Sequence, residues 1–434
     1  MLDGLKSAAR RAGDDRALRS LLLDCKRLLS ERGEANSVAI ARQLVARFSA
    51  LPDDQQGGFF DRLSREFSPD PQAVLSVAQA YAQEPSADNL IRLTHLAEPP
   101  RQELLRRINR TPGGTAQIVA MRRKLLACVG AQPELRALEN DFLHLLSSWF
   151  NPGFLQMQQV DWRSPAHLLE QIIRHEAVHE IDGWDDLRRR LQPDRRCFAF
   201  FHPQLPDEPL IFVEVALLPE MPATIAPLID KHAQPTLAPS QYKLAAFYSI
   251  SNCQPGLRGV SLGNFLIKRV AEQLQRELPQ LKRFCTLSPI PGFAKWLQAP
   301  PVLPDHLRKG VVERITEARA CLVAATQGDL NTLANTATLQ SLDEAERDAL
   351  SRLCAAYLVH HSTTAQGDPV ARFHLDNGAR LERLNPLGDL SRKGLKQSFG
   401  LMVNYLYDLD KVETSHEQFV HGEVAHSRAV SGLI

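Results

Sequence analysis

The segment from Cys253 to Trp296 constrains the fold of this chain more than any other stretch of its sequence. A glycine-punctuated loop at residues 258–263 joins an apolar, strand-like run to the pattern of an amphipathic helix, and a second apolar run then leads to Ser288 in a proline-containing turn. Small residues let a backbone approach a phosphate closely, and the N–H groups at the start of a helix favour an anion. The segment therefore predicts a phosphate-binding loop beside a positioned hydroxyl group, which fits a nucleotide-bearing acyl substrate.

The composition limits the classes of partner and the compartment. The 434 residues are enough for two or three domains, and their formal net charge of +1 does not provide the broad basic surface that nucleic acids require. The longest apolar run, Leu210–Leu218, is interrupted by Glu214 and is too short to span a bilayer. Seven cysteines without a C-x-x-C pair fit a reducing compartment. We therefore expect a cytoplasmic protein that binds neither nucleic acid nor membrane.

Residues 1–150 have the pattern of successive helices. Apolar residues recur at steps of three and four in Ala17–Leu29 and Val38–Phe48, which is the stripe of an amphipathic helix. The prolines between these runs lie where they begin helices rather than interrupt them. We expect residues 1–150 to form a helical packing or oligomerisation domain.

The pattern changes after Asn151, where short apolar runs bounded by turn residues indicate buried strands. Arg196–Phe201 and Leu210–Leu218 are not separated by a segment with the length and periodicity of a helix, so we expect them to pair antiparallel. The region 151–434 therefore predicts an α+β domain. Its other predicted elements are a strand at Leu244–Ile250, helices at Pro165–His175 and Asn264–Leu278, strands at Lys282–Leu287, Arg372–Asn385 and Met402–Leu409, and a helical insert at about 303–361.

His175–His179 reads H-E-x-x-H, the sequence with which zinc hydrolases bind their metal and place a glutamate as general base. A catalytic zinc also needs a third ligand. The extended form of the motif fails, because Asp182 and Asp185 occupy the positions of its glycine and its last histidine. We therefore expect a helix at the surface or between domains, and no metal site.

Gly259–Gly263 reads G-x-S-x-G, which in an esterase would make Ser261 the nucleophile. The upstream sequence lacks the repeated strand–helix units and the HGGG-type segment of such enzymes, so this remains the weaker alternative. The same loop also fits the acyl-CoA-binding signature of the acetyltransferase-like (GNAT) fold, [Q/R]-x-x-G-x-[G/A]. Arg258 takes its first place, Ser261 stands where glycine is usual, and Gly263 closes it.

Several further stretches resemble the malonyl-CoA decarboxylase family, and the resemblance covers most of the chain from about 150 to 410. The most specific is the string L-S-P-I-P-G-F, which contains Ser288. From the residues alone His374 precedes an Asn-Gly turn inside a strand pattern, where a lone histidine is usually structural. The matching stretches are Leu257–Val270, 286–293, 373–379, 400–405, His175–Trp184 and 195–197.

This resemblance implies a helical domain at 1–150 joined to a GNAT-like catalytic domain at 151–434, with a mixed, mainly antiparallel sheet and the insert at about 303–361. It implies a homo-oligomer, a dimer or a tetramer, formed through the helical domain. It makes Ser288 the hydroxyl that accepts and relays a proton and His374 its partner and proton donor, with Ser249 and Tyr407 lining the pocket. The residues that it assigns to coenzyme A binding are Arg258, Gly259, Val260, Ser261, Leu262, Gly263 and Asn264, besides Ser288 and His374 themselves.

The reaction that the resemblance implies converts malonyl-CoA to acetyl-CoA and carbon dioxide without a cofactor, because the thioester carbonyl itself accepts the electrons. The chain ends in Ser431–Ile434, which lacks the peroxisomal Ser-Lys-Leu signal, in line with a cytoplasmic location. The alternatives are a GNAT-type acyltransferase, which would need an acceptor amine, a coenzyme A-binding scaffold without activity, and the Ser261 hydrolase.

Overall fold

The computed structural model of this chain describes residues 2–30, 36–234, 237–260, 262, 266–299, 303–304, 307–364 and 367–434, with side chains from Asp15 onward. The chain divides into two compact units. The first comprises Met1–Gln156, Phe201–Glu208 and Gln254–Leu262, and the second comprises Met157–Phe200, Pro209–Cys253 and Gly263–Ile434. The assignment of residues 1–150 to packing or oligomerisation and of residues 151–434 to catalysis stays a prediction.

The first unit is built from amphipathic helices, as the apolar periodicity predicts. The predicted helices at Ala17–Leu29 and Val38–Phe48 are confirmed, and Pro71 and Pro100 each occupy the first turn of a helix, where a missing backbone N–H leaves no hydrogen bond unmade. The helices are α1 (Leu2–Leu29), α2 (Ser37–Ser49), α3 (Asp53–Glu66), α4 (Pro71–Gln83), α5 (Ala87–Ala97), α6 (Pro100–Asn109), α7 (Gly114–Val129) and α8 (Arg136–Trp149).

A buried arginine in α7 holds the turn at 255–257 inside this first unit. Arg122 is 1% exposed, and its guanidinium donates to the carbonyl oxygen of Gly256 at 2.8 Å and to the carboxylate of Glu139 at 2.6 Å. The turn packs so closely on α7 that a Cβ atom at Gly256 would lie 2.1 Å from the carbonyl oxygen of Val119. Only glycine fits this contact without a movement of the backbone.

The second unit is organised around a mixed seven-stranded sheet with the order β1-β2-β3-β4-β5-β7-β6. Strands β2 and β3 pair antiparallel, as predicted, and β3 and β4 do the same with a bulge between Glu214 and Val215. Only the β4–β5 pair is parallel among the pairings described between named strands. The strands are β1 (Gln156–Val160), β2 (Arg195–Phe201), β3 (Ile211–Leu218), β4 (Leu244–Asn252), β5 (Arg283–Thr286), β6 (Arg380–Asn385) and β7 (Met402–Tyr407).

Helices flank this sheet, and one of them makes the crossover between the parallel strands β4 and β5. The crossover helix is strongly amphipathic, with Leu266, Val270 and Leu274 among its buried residues. Within the described residues, no helix has the length and apolar character to cross a membrane. The helices are α9 (Ala166–His175), α10 (Gly183–Arg190), α11 (Ala226–Ile229), α12 (Leu266–Glu277), α13 (Phe293–Gln298), α14 (Lys309–Ala325), α15 (Thr336–Ser341), α16 (Glu344–His361), α17 (Pro369–Asp376), α18 (Arg392–Ser398), α19 (Val412–Val420) and α20 (Arg428–Ser431).

Two predicted elements are wrong. The first part of the predicted strand Arg372–Asn385 is helical, because Asp368 caps the helix α17 and Pro369 begins it, and only Arg380–Asn385 is a strand. The predicted helix through His175–His179 is interrupted, because α9 ends at His175, a new helix, α10, covers Gly183–Arg190, and residues 176–182 between them are not helical. There the side chain of Glu176 accepts from the backbone N–H groups of Val178 and His179, which competes with helical hydrogen bonding.

We predict that Gly256→Ala destabilises the protein by about 1–3 kcal/mol, because the new methyl group has no space against α7. Urea unfolding monitored by circular dichroism measures this change. Gly130→Ala is the matched control, since Gly130 has an ordinary helical φ of −63° and no atom near its missing Cβ. Equal stability of the two variants would contradict the packing described for the turn.

Candidate active site

Ser288 lies just after β5 and is held by backbone hydrogen bonds to β7. Its N–H donates to the carbonyl oxygen of Val403 at 2.8 Å, and its carbonyl oxygen accepts from the N–H of Val403 at 3.0 Å. The side chain is 5% exposed. Pro289 follows directly and has no backbone N–H to donate to the sheet, and both residues line a cavity.

His374 reaches the same place from the last turn of α17. The helix begins at the capping side chain of Asp368 and ends before Gly378, whose φ of +78° is the left-handed conformation that terminates many helices. His374 is 3% exposed. Sequence analysis placed this histidine in a strand, and the helix is what directs its ring toward Ser288.

A chain of hydrogen bonds runs through the buried imidazole. Its Nε2 lies 3.0 Å from the Oγ of Ser288, and its Nδ1 lies 2.9 Å from the hydroxyl oxygen of Tyr407. The Oγ of Ser288 also lies 2.8 Å from the Oγ1 of Thr286, and Tyr405 stacks on the imidazole with ring centroids 4.7 Å apart. A neutral imidazole carries one N–H, so the chain from tyrosine to serine supports proton movement in either direction by a change of tautomer.

Burial keeps this imidazole neutral. Desolvation lowers the pKa of His374 to about 3 and raises the pKa of Tyr407 well above its ordinary value. Both side chains are therefore uncharged at neutral pH. An anionic group that entered the cavity would favour the imidazolium form, because an opposite charge nearby raises the pKa of a histidine.

Asp368 connects the two segments that carry the serine and the histidine. One carboxylate oxygen accepts from the N–H groups of Val370 and Ala371 at 2.9 and 3.1 Å, and the other accepts from the N–H of Gly292 at 2.8 Å. The side chain is 1% exposed, and its burial raises the pKa of the carboxyl group. One buried carboxylate thus joins the start of α17 to the loop that follows Ser288.

Ser288 and His374 open into a cavity of about 290 Å³. Most of its wall is apolar, and the few polar side chains include Ser249 on β4. The structure therefore brings together Ser288, His374, Ser249 and Tyr407, although their roles stay predictions. Apolar side chains of the wall include Ile211, Phe247, Ile250, Val370 and Phe373.

Glu176 is a residue of this region that sequence analysis did not identify as functional. Its carboxylate accepts from the hydroxyl groups of Ser249 at 2.6 Å and Ser251 at 3.2 Å. Among the described residues no group of three or more histidine, cysteine or acidic side chains is arranged to hold a metal ion. His179 is buried with a pKa lowered to about 4 by desolvation. The zinc motif needs both histidines on one helix, but residues 176–179 are not helical. The glutamate of the H-E-x-x-H sequence is instead a hydrogen-bond acceptor.

The predicted coenzyme A loop is described in part. Arg258 is exposed, Gly259 has a φ of +83°, and Val260 and Leu262 are buried, all in the unit that contains the N-terminal helices. Ser261, Gly263 and Asn264 lie outside the described residues. Glycine adopts this left-handed backbone conformation without the strain that other residues would have there. Its assignment to coenzyme A stays a prediction.

Comparison with known proteins gives consistent matches over nearly the whole chain. Residues 153–434 match the malonyl-CoA decarboxylase C-terminal domain, and residues 67–150 match the malonyl-CoA decarboxylase N-terminal domain. The mitochondrial malonyl-CoA decarboxylase of Anser anser anser is 36% identical over 381 residues, which are 82% of this chain and 75% of that protein.

Solved structures give the same result. The crystal structure of malonyl-CoA decarboxylase from Rhodopseudomonas palustris is 46% identical, with a TM-score of 0.83 and coverage of 96% of this chain and 99% of that one. The corresponding structure from Agrobacterium vitis is 47% identical, also with a TM-score of 0.83, and covers 95% of this chain and 99% of that one. These matches define an enzyme of the carboxy-lyase class. The chain belongs to the malonyl-CoA decarboxylase family.

We predict that Asp368→Asn lowers the decarboxylation rate constant by about 10–100-fold, because a small displacement of reacting groups is costly. Asparagine caps a helix as well as aspartate does, but its amide nitrogen cannot accept from Gly292. Steady-state kinetics measures the change. The matched control Asp343→Asn alters the same type of cap on α16 and should retain activity. Equal activity of both variants would show that the connection through Asp368 is unimportant.

Proposed function

We propose that this protein converts malonyl-CoA to acetyl-CoA and carbon dioxide. Membership of the malonyl-CoA decarboxylase family supports the proposal, together with one geometric observation, the 3.0 Å contact of Ser288 with the buried imidazole of His374 at the wall of an apolar cavity. In this proposal the malonyl group occupies that cavity, and the GNAT-like sheet domain provides the scaffold.

The first step of the proposed reaction breaks the bond between the α-carbon and the carboxylate. The two electrons of that bond pass to the thioester carbonyl and form an enolate, while carbon dioxide leaves. Because the thioester is its own electron sink, the reaction requires no cofactor. An apolar wall with side chains such as Phe247 and Phe373 favours conversion of a charged carboxylate to neutral carbon dioxide.

The second step adds a proton to the α-carbon, so that malonyl-CoA and one proton give acetyl-CoA and carbon dioxide. The negative substrate raises the pKa of His374, which takes up a proton from solvent. Ser288 then gives its hydroxyl proton to the carbon and receives the proton on the Nε2 of His374. The imidazole returns to its neutral state, and its hydrogen bond to Tyr407 holds the ring in place throughout.

Two further parts of the proposal concern binding and assembly. The loop at Arg258–Asn264 binds the phosphates of coenzyme A through backbone N–H groups and the start of the helix that follows, because an anion is favoured there. Subunits associate as a dimer or a tetramer through the N-terminal helices. Neither part is needed for the chemistry at Ser288 and His374. Titration with coenzyme A tests the loop, and sedimentation of the purified protein tests the assembly.

Incubation of the purified protein with malonyl-CoA alone tests the proposed function. We expect equal amounts of acetyl-CoA and carbon dioxide without any acceptor, measured by liquid chromatography and by trapped ¹⁴C label from the carboxylate. An acyltransferase would be inactive until an amine is added. Release of free coenzyme A and malonate instead would indicate thioester hydrolysis and contradict the proposal.

Ser288→Ala and His374→Ala should each reduce the decarboxylation rate constant by about 10²–10⁴-fold, because each removes one group from the proton path. Calorimetric titration with coenzyme A should give an affinity close to that of the unchanged protein. His421→Ala is the control, since His421 is an exposed histidine of the same unit and should leave the rate unchanged. Near-normal turnover by either site variant would remove that residue from the mechanism.

A further inference from the structure

The carboxylate of Glu176 accepts four hydrogen bonds, two from its own loop and two from the strand β4. One carboxylate oxygen accepts from the N–H groups of Val178 and His179 at 2.8 and 2.7 Å, and the other accepts from the hydroxyl groups of Ser249 at 2.6 Å and Ser251 at 3.2 Å. All four donors are neutral. One side chain thus links the loop after α9 to the strand β4 that forms part of the cavity wall.

The loop around Glu176 is held in place from two other directions. Lys393 donates to the carbonyl oxygens of Ala177 and Val178 at 2.7 and 3.0 Å. Arg190, which is 1% exposed, donates to the carbonyl oxygen of Glu180 at 3.2 Å. The position of the loop therefore does not depend on the charge of Glu176 alone, and the carboxylate has a fixed direction toward β4.

The hydrogen bond to Glu176 determines what Ser249 presents to the cavity. A hydroxyl group has one proton to donate, and a carboxylate only accepts. Since the proton of Ser249 is directed to Glu176, a ligand in the cavity that reaches the hydroxyl oxygen of Ser249 meets an acceptor and no free proton. The Oγ of Ser251 lies 3.3 Å from the Oγ of Ser249 and 3.2 Å from the same carboxylate oxygen, and it accepts from the N–H of Ala177. Whether Ser251 gives its proton to the carboxylate or to Ser249, the shorter hydrogen bond of 2.6 Å still directs the proton of Ser249 to Glu176.

We propose that Glu176 is a positioning residue that makes Ser249 a hydrogen-bond acceptor and thereby determines which way the substrate carboxylate points. This inference rests on the proposed function. An acceptor backed by a negative charge repels a carboxylate and a thioester oxygen, whereas it binds an N–H group. In an acyl-CoA the amide N–H closest to the thioester is that donor. The carboxylate is then directed away from Ser249, and the other polar side chains of the cavity wall include Ser288 and His374.

Glu176→Gln tests this inference by reversing one hydrogen bond. Its amide oxygen still accepts from the loop N–H groups, while its nitrogen donates to Ser249 and frees the serine proton for the cavity. We expect the ratio of malonyl-CoA affinity to acetyl-CoA affinity to rise about tenfold, because a hydroxyl donor now meets the carboxylate. We expect the decarboxylation rate constant to fall, because the carboxylate is held at the wrong side.

The affinity ratio is measured in the Ser288→Ala background, by calorimetry or by fluorescence at mixing times shorter than one turnover. Ser251→Ala is the matched control, because Ser251 shares the same carboxylate oxygen but is not among the residues that line the cavity. Its affinity ratio should equal that of the Ser288→Ala protein. An unchanged ratio in folded Glu176→Gln protein overturns the inference.

Ser249→Ala gives an independent test that does not require the Glu176 variant to fold. If Ser249 is only an acceptor, its loss does not weaken malonyl-CoA binding more than acetyl-CoA binding, and the effect of Glu176→Gln disappears in the Ser249→Ala background. A selective loss of malonyl-CoA affinity would mean that Ser249 donates to the carboxylate, which contradicts the inference. These outcomes are distinct from a failure of the proposed function, which would appear as a lack of carbon dioxide release by the unchanged protein.

Discussion

The site depends on the buried carboxylate of Asp368, which joins the two segments that carry Ser288 and His374. The sheet fixes Ser288 through β7, whereas His374 comes from a short helix whose start would otherwise have unsatisfied N–H groups. By accepting from that helix and from Gly292, one side chain determines the separation of serine and imidazole. The remaining contacts, from Tyr407 and Tyr405, orient a ring whose position is already set.

Burial makes the histidine of this site neutral, and in the proposed mechanism it becomes charged only when the substrate binds. Desolvation lowers the pKa of His374, so the imidazole at the cavity wall is uncharged at neutral pH. In the proposed mechanism a substrate carboxylate raises the pKa of His374, and the reaction takes up one proton. Glu176 is not among the residues that line the cavity, and in the proposal it acts through its hydrogen bond to the hydroxyl of Ser249. In the proposed mechanism the positive charge on His374 therefore forms beside the group that needs a proton, and the negative charge of Glu176 stays outside the cavity wall.

Much of the fold could be predicted from the sequence, because the strands around Ser288 and the amphipathic helix at 266–277 have strong local patterns. Ser288 was found through the string that contains it. His374 was predicted in a strand, although it lies in the helix α17. The apolar pattern of 372–376 resembles a strand, and the helix is recognisable only from its capping residue Asp368 and the proline that follows. Glu176 was missed because its partners Ser249 and Ser251 are more than seventy positions away, and no local spacing signals such a contact. Coenzyme A binding and subunit assembly stay predictions.

A crystal structure of the complex with acetyl-CoA tests the central claim most directly. The account predicts that the acetyl methyl carbon lies about 3–3.5 Å from the Oγ of Ser288, with the imidazole of His374 still hydrogen-bonded to that oxygen. An acyl group bound outside this cavity, or a serine and a histidine that no longer meet when the ligand is present, would contradict it.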